Sequence, residues 1–429
     1  MDAYIVNTSM PRVLEDLGEP RFYAWVASAF ILAQIVGLSI GGAWKDRAGL
    51  RTPFLIAVAG FGLGSLLCAL APAMHILVFA RAFQGLAAGA LSALSFAAAA
   101  AYPEGVRLRM LSLISGVWGV VALGAPLLGG FITDTLGWRW IFLVNVPVCA
   151  GVILLGWLAL ERGNPSGSRR ALPLTRAVLL AITVVGLTAA PSAASSTLVA
   201  GALLFAGVLA AVGFGIAERR AEVAVIPLDT WLARGPVGSS LLATMFYTGA
   251  YTGAGVFLPL YLVQVRGEST TQAGLVLSVG GFMWTAGSIF ASTKSGKWPI
   301  RLAWVGALLI VVAGASIAAQ SVLGNLPLPL IYVTWAAAGF GVGLAMLHLT
   351  NWSLVYSPAA QSGVISAATQ TMRMLGSAAG GALMGAVLNA IGSDADHLRV
   401  SIAAIFSLSA LIALVPATIG RPKVSAQVD

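Results

Sequence analysis

Charge is what this sequence has least of. Only 9% of its 429 residues are Asp, Glu, Lys or Arg, against about 25% in a soluble domain. So few charges cannot cover a water-facing surface, which argues against a soluble enzyme. The net charge of +9 does not point to nucleic acid, because the basic residues sit in short gaps between apolar stretches. Cysteine is almost missing. Cys68 and Cys149 both lie inside apolar runs, so a disulfide frame or a thiolate metal site is disfavoured and two small buried hydrophobes are expected. There is no basic segment before the first apolar run and no cleavage site after it, so a secretory signal is not expected within this sequence. No Walker pattern, metal-ligand cluster or nucleophile triad is present. The strings Gly60-Phe-Gly62-Leu-Gly64 and Gly339-Phe-Gly341-Val-Gly343 lie within apolar helices, with no strand before them, and are not nucleotide loops. An ATP-driven pump then needs a separate ATPase subunit.

What the chain does have is apolar length. Runs long enough to span a bilayer lie near 22–43, 52–72, 74–101, 108–132, 140–161, 171–191, 195–217, 237–263, 271–292, 301–320, 328–351, 361–391 and 398–419. The opening stretch, MDAYIVNTSMP, is a shorter fourteenth, about 16 Å as a helix and about half a bilayer. If it runs outward as helix one, 17 of the 24 basic residues fall in cytoplasmic gaps and five (Arg12, Arg21, Arg139, Arg266, Arg399) in outer gaps. Arg81 and Arg373 remain inside helices. The expectation is an all-α integral protein of the cell (plasma or inner) membrane with a cytoplasmic C-terminus. LGAPLLGG at Leu123–Gly130 and LGSAAGG at Leu375–Gly381 hint at an internal repeat. Two six-helix halves with two extra helices between them fit the spacing. The boundaries expected are 1–162, 171–217 and 237–420.

Several motifs stand out within this frame. Gly42-Ala-Trp-Lys45-Asp46-Arg47-Ala-Gly49-Leu-Arg51 joins two helices with dense charge. Glycines permit a tight turn, an Asp can face a helix N-terminus, and Arg can pair with carboxylates or phosphates. Arg81-Ala-Phe-Gln84-Gly85 places a guanidinium about 10 Å below the outer end of its helix. Asp2 lies about 14 Å below the same face, so the two can meet. A charge in lipid is costly and belongs in a cavity or against a partner, unless it snorkels to the surface. Gly116, Gly119, Gly124, Pro126, Gly129 and Gly130 fall in one span, where small residues allow close packing and proline bends the helix. Trp138-Arg139-Trp140 suits an outer aromatic belt, and Asn145 beyond it needs a polar partner.

These motifs resemble the major facilitator superfamily. The Gly42–Arg51 stretch is similar to its cytoplasmic gate loop, and R-x-x-Q-G to its fourth-helix motif associated with proton coupling. The Gly/Pro helix looks like its antiporter motif, although Ala125 stands where the glycine before Pro126 is expected. W-R-W-x-F-x-x-N-x-P and the opening D-x-Y-I-V-N-x-x-x-x-P resemble the fourteen-helix drug:proton antiporter branch, with Tyr4 in place of Thr and Ser9-Met10 in place of Ala-Leu. The resemblance covers the whole chain, more strongly in its first half. It implies a major-facilitator fold, proton-coupled efflux of small amphipathic compounds by alternating access, and no cofactor beyond the proton gradient. Asp2 and Arg81 become the proton-coupling pair, and Gly42, Asp46, Arg47, Gly49 and Arg51 the cytoplasmic gate.

Asn7, Gln84, Trp118, Asn145, Tyr247, Tyr251, Trp284 and Arg373 are candidates for the substrate cavity, with Trp335 beside them. Arg373, about 18 Å into its span, contacts substrate or pairs with carbonyls. His348 is expected near the cytoplasmic interface. Expected partners are a small-molecule substrate, protons and the lipid bilayer, for a monomer without nucleic acid. With only Asp2 as an intramembrane acid, neutral or weakly polar substrates are favoured. A uniporter or importer of a small metabolite is the alternative, and a receptor or scaffold a third. The truncated look of helix one leads to the expectation of an apolar segment encoded upstream of Met1.

Overall fold

Helices supply the regular structure among the described residues, and no strand occurs among them. The computed structural model describes residues 2–100, 121, 124–160, 174–189, 197–220, 226, 230–294, 298–324, 327–356 and 362–418. In chain order the helices are α1 (Asp2–Leu17), α2 (Tyr23–Ala48), α3 (Arg51–Ala69), α4 (Met74–Ala100) and α5 (124–136). After these come α6 (Trp140–Leu143), α7 (Asn145–Ala159), α8 (Leu174–Ala189), α9 (Thr197–Arg219) and α10 (Gly235–Leu260). The last five are α11 (Thr270–Ser292), α12 (Trp298–Leu323), α13 (Leu328–Val355), α14 (Ser362–Ile391) and α15 (Ala395–Thr418).

Eleven spans among the described residues are long and apolar enough to cross a membrane. Large apolar side chains such as Phe79, Leu158, Phe205, Leu308 and Val333 stand exposed around the bundle, as lipid-facing residues should.

Two boundaries differ from the sequence-based expectation for a physical reason. The first helix does not stop at Pro11. It runs through Arg12, Glu15 and Asp16 to Leu17, because the polar residues lie beyond the apolar stretch and solvate themselves through an Arg12–Glu15 ion pair of 2.8 Å. The charged gap after span two is likewise mostly helix. α2 continues to Ala48, and the turn before α3 is made by Gly49 and Leu50 alone, with Gly49 at φ +73°. Only glycine adopts that backbone without strain.

The contacts repeat along the chain. In the first segment α2 and α3 both pack on α4, and α3 packs on α7. In the second, α11 and α12 both pack on α13, and α12 packs on α15. Glycines set the register in both. A Cβ on Gly85 or Gly89 of α4 would collide with the carbonyl oxygens of Phe30 and Gln34 on α2. A Cβ on Gly339 or Gly343 of α13 would collide with those of Gly280 and Trp284 on α11. Small residues four apart let the backbones touch, the usual device for joining helices in lipid. The α8–α9 hairpin lies between the repeats in sequence, and α8 packs on both α2 and α14.

The two repeats meet at the end of the bundle that carries the α1–α2 connection. There α1 packs on α10 and α11, and α2 on α14. Tyr23 donates to the Val256 carbonyl at 3.2 Å, Asn389 to the Arg21 carbonyl at 3.2 Å, and Ser28 to the Ala378 carbonyl at 3.2 Å.

Gly85→Val tests the glycine seam. The branched side chain has only backbone to displace, so α2 and α4 must part. The expected cost is about 1–3 kcal/mol, read as a lower melting temperature in detergent. An unchanged melting temperature would contradict the packing described.

Candidate functional site

The strongest polar feature of the interior is Arg81 on α4. Its side chain is fully buried, so it does not snorkel to the surface. The guanidinium finds partners on three sides. It donates to the Gln84 side-chain oxygen and, through Nε, to the Val26 carbonyl of α2 at 3.4 Å. Its Cζ lies 4.0 Å from the centre of the Phe30 ring and 5.9 Å from that of the Phe142 ring of α6. A cation over an aromatic face gains most where water is excluded. Gln84 passes the network on. Its Nε2 donates to Ser65 Oγ on α3 at 2.7 Å, and Asn145 Nδ2 at the start of α7 reaches the same oxygen at 3.4 Å. Arg81, Gln84 and Asn145 are therefore one network, brought together by Ser65, a residue that sequence reasoning passed over. A lone serine in an apolar helix carries no pattern that marks it.

A second cluster lies in the other repeat. Tyr251 on α10 stacks on Trp335 of α13, with centroids 4.6 Å apart and planes at 15°. It meets Trp284 of α11 edge-on at 5.7 Å and 83°. The Arg373 guanidinium of α14 lies 5.7 Å from the Trp284 ring centre. Gly280 makes room for this cluster, since a Cβ there would strike the Trp335 ring and the Tyr251 hydroxyl. Three of the predicted cavity residues thus come together with Trp335. Tyr247 does not join them: it is buried, and its hydroxyl donates to the Ala303 carbonyl on α12 at 2.6 Å. His348 is buried near Trp352.

The glycine helix of the first repeat serves contacts between helices. A Cβ on Gly129 would meet Ile5 of α1, and one on Gly130 would meet the Thr270 carbonyl at the start of α11. The Pro126 carbonyl is pressed against Gly274 in the same way, while Gly124 faces open space. Just beyond, Ser9 of α1 and Thr133 of α5 share a hydrogen bond.

Asp134 then spans the two repeats. Its carboxylate accepts from Thr271 N at 2.7 Å, Thr271 Oγ1 at 2.6 Å and Thr270 N at 3.3 Å, capping α11. Burial raises the Asp134 carboxyl, but the bonds from Thr271 and Thr270 outweigh it and hold it below the usual carboxylate range. Sequence reasoning missed this residue, because its partner lies 137 positions away.

Arg51 of the gate motif donates to the Trp157 carbonyl at 2.8 Å and lies 4.5 Å over that ring. Gly42, Asp46 and Arg47 lie in the helical backbone of α2, but their side chains are outside the described residues, as is that of Asp2 at the start of α1. Gly116, Trp118 and Gly119 also lie outside. Asn7 is partly buried, and its Oδ1 has no hydrogen-bond partner among the described residues. Glu218, which sequence reasoning did not single out, is buried at the end of α9. It pairs with Arg176 of α8 at 3.3 Å and accepts from Ile226 N at 2.7 Å.

No group of three or more His, Cys, Asp or Glu side chains able to hold a metal ion occurs among the described residues. A bundle of membrane helices, with a buried guanidinium in one half and an arginine beside an aromatic cluster in the other, is the build of a polytopic solute transporter rather than an enzyme. The model of the Major Facilitator Superfamily matches residues 1–381, and the chain belongs to that superfamily. It is 28% identical over 400 residues to a Mycobacterium tuberculosis protein named "Probable multidrug-efflux transporter", covering 90% of this chain and 84% of that one. It is also 28% identical over 355 residues to "Multidrug resistance protein 3" of Bacillus subtilis, covering 80% and 68%. Among solved structures, an auto-inhibited POT family peptide transporter superposes with a TM-score of 0.67 at 14% identity, over 100% of this chain and 96% of that one, a likeness of fold alone. The fold is thus the expected all-α membrane fold of the major-facilitator type, and the chain is a transporter.

The network makes a graded prediction. Ser65→Ala removes one neutral hydrogen bond and should cost about 1 kcal/mol. Gln84→Leu strips an acceptor from a buried cation and should cost about 1.5–3 kcal/mol. Melting temperatures of the two variants in detergent check the order. Equal effects would mean that Arg81 does not depend on Gln84.

Proposed function

We propose that this protein exports small amphipathic compounds in exchange for protons, with residues 1–162 and 237–420 as the moving halves and 171–217 as the linking pair. The halves rock about a midplane site. The observation that carries this reading is a polar tie between the halves, in which the Asp134 carboxylate caps the start of α11. The positive-inside bias puts that tie at the outer face, the gate of Gly42–Arg51 at the cytoplasmic face, and makes the C-terminus cytoplasmic. The membrane is then the plasma or inner membrane. The names of the relatives support export of drug-like compounds. Transporters of this superfamily generally need no cofactor.

In this mechanism the gradient acts through Asp2 and Arg81. Protonated Asp2 is neutral and leaves Arg81 to Gln84 and the Val26 carbonyl. Ionised Asp2 draws on the guanidinium, so the charge of one carboxyl biases the packing of α1 against α2 and α4. Outer closure is a separate contact. Asp134 must be ionised to cap α11, and a carboxyl held below its ordinary value contributes above that value and loses its contribution as pH falls through the lowered one. The outer latch therefore stays closed at neutral pH and weakens only in strong acid.

Two measurements test the scheme. In proteoliposomes, Asp2→Asn should abolish the dependence of substrate flux on a pH gradient. Full gradient-driven efflux in that variant removes Asp2 from the mechanism, and gradient-independent equilibration by the wild type favours a uniporter. Asp134→Ala should open the outer face. Spin labels on the outer ends of α5 and α11 should report a longer distance distribution than in the wild type. An unchanged distribution at neutral pH contradicts the latch.

A further inference from the structure

The α8–α9 hairpin does more than join the two repeats in sequence. α8 packs on α2 of the first repeat and on α14 of the second. One apolar cluster runs through these elements. α2 contributes Leu32 and Ile35, α14 contributes Met372 and Leu375, and the hairpin contributes Leu180 and Phe214. All six are buried. On the far side of the hairpin Leu198, Phe205 and Leu209 of α9 stand exposed, as lipid-facing residues should. The order outwards is therefore the α2–α14 seam, α8, α9 and the bilayer. Gly186 keeps the pair tight, since a Cβ there would strike the Gly207 Cα and the Leu203 carbonyl.

The hairpin has a polar fastening to the second repeat. The Glu218 side chain, at the end of α9, is fully buried and pairs with Arg176 of α8. It also accepts from Ile226 N at 2.7 Å. Ile226 lies between α9 and α10, is itself fully buried, and belongs to the same cluster as Leu241 of α10. A carboxylate stays buried only where donors compensate it, so these bonds hold the foot of the hairpin at the entry to α10. Against α2 the cluster presents Leu32 and Ile35, and apolar contact has no preferred direction. That surface can slide.

We propose that the α8–α9 hairpin is a lateral seal. Latched to the second repeat by the Glu218–Ile226 hydrogen bond, it bars phospholipid acyl chains from the α2–α14 seam while α2 slides beneath it. The proposal goes beyond the export reading and needs only that the chain spans a bilayer. Two bundles that rock against each other part along their seams. A seam lined by Leu32, Met372 and Leu375 is as apolar as an acyl chain, so lipid entering it would wedge the repeats apart. α8 occupies that place instead.

Photolabelling of the full chain in nanodiscs tests this. The probe is a phosphatidylcholine with a diazirine at the end of one acyl chain, and mass spectrometry locates the adducts. In the wild type the exposed Phe205 and Leu308 should be labelled, and Leu32, Met372 and Leu375 should not. Glu218→Ala removes the acceptor of the Ile226 amide. Labelling of the three seam residues should then rise about fivefold, the shift that one lost neutral hydrogen bond gives to an open–closed equilibrium. Glu218→Gln keeps an oxygen for that amide and should stay near the wild type. Adducts at the wild-type seam, an unlabelled seam in Glu218→Ala, or equal labelling of the Gln and Ala variants overturns the proposal. Where Glu218→Ala fails to fold, Leu180→Ala decides: it thins the strap over the seam and should admit the label, and an unlabelled seam in it overturns the proposal equally. Substrate flux that ignores a pH gradient would refute proton-driven export and leave the seal standing.

Discussion

A guanidinium in hydrocarbon must bring its own solvent, and much of the first half is arranged around that need. Arg81 is fully buried, so α2 supplies a carbonyl and a ring, α4 an amide, and α3 and α7 the hydroxyl and amide that hold that amide in place. None of this works unless α2 and α4 touch backbone to backbone. Gly85 and Gly89 permit the contact, and Gly64 does the same for α3, since a Cβ there would strike Gln84. The glycines and the arginine are thus one design. Removing either leaves a cost that lipid cannot absorb.

The repeat makes the comparison between halves specific. Gly85 and Gly89 meet carbonyls of α2 as Gly339 and Gly343 meet carbonyls of α11. Four residues before the first glycine of each pair stands Arg81 in one half and Trp335 in the other. The same place in the packing holds a charged network in the first half and an aromatic stack in the second. A network of hydrogen bonds fixes positions tightly, while stacked rings offer broad apolar surface with few directional demands.

Much of this was legible in the sequence, for physical reasons that also mark the limit. Apolar runs must match bilayer thickness, so helices such as α11 and α14 fall within a residue or two of their expected bounds. Arg81 was visible because a charge inside such a run is rare. Ser65 and Asp134 were not, because their significance depends on partners that only the fold brings near. Serine is unremarkable in an apolar helix, and an acid at a helix end looks solvated until Thr270 and Thr271 are placed against it. Helix ends in charged segments, such as Leu17 and Ala48, were misjudged because hydropathy marks where lipid ends, not where backbone hydrogen bonding ends.

The contact between the halves is strong enough to hold one state and weak enough to release it. Its hydrogen bonds from Tyr23, Ser28 and Asn389 are neutral and contribute about 1 kcal/mol each. The bonds to the Asp134 carboxylate are charge-assisted and contribute about 1.5–3 kcal/mol each before the burial of the charge is set against them. Single hydrogen bonds of this kind, with one carboxylate among them, are contacts that two conformations in exchange can make and break. A buried ionic lock of several pairs would freeze the contact. An interface of apolar contacts alone would respond to no charge. One exposed carboxylate on a helix terminus lies between these extremes, and a solute bound preferentially to one state has enough differential affinity to move it.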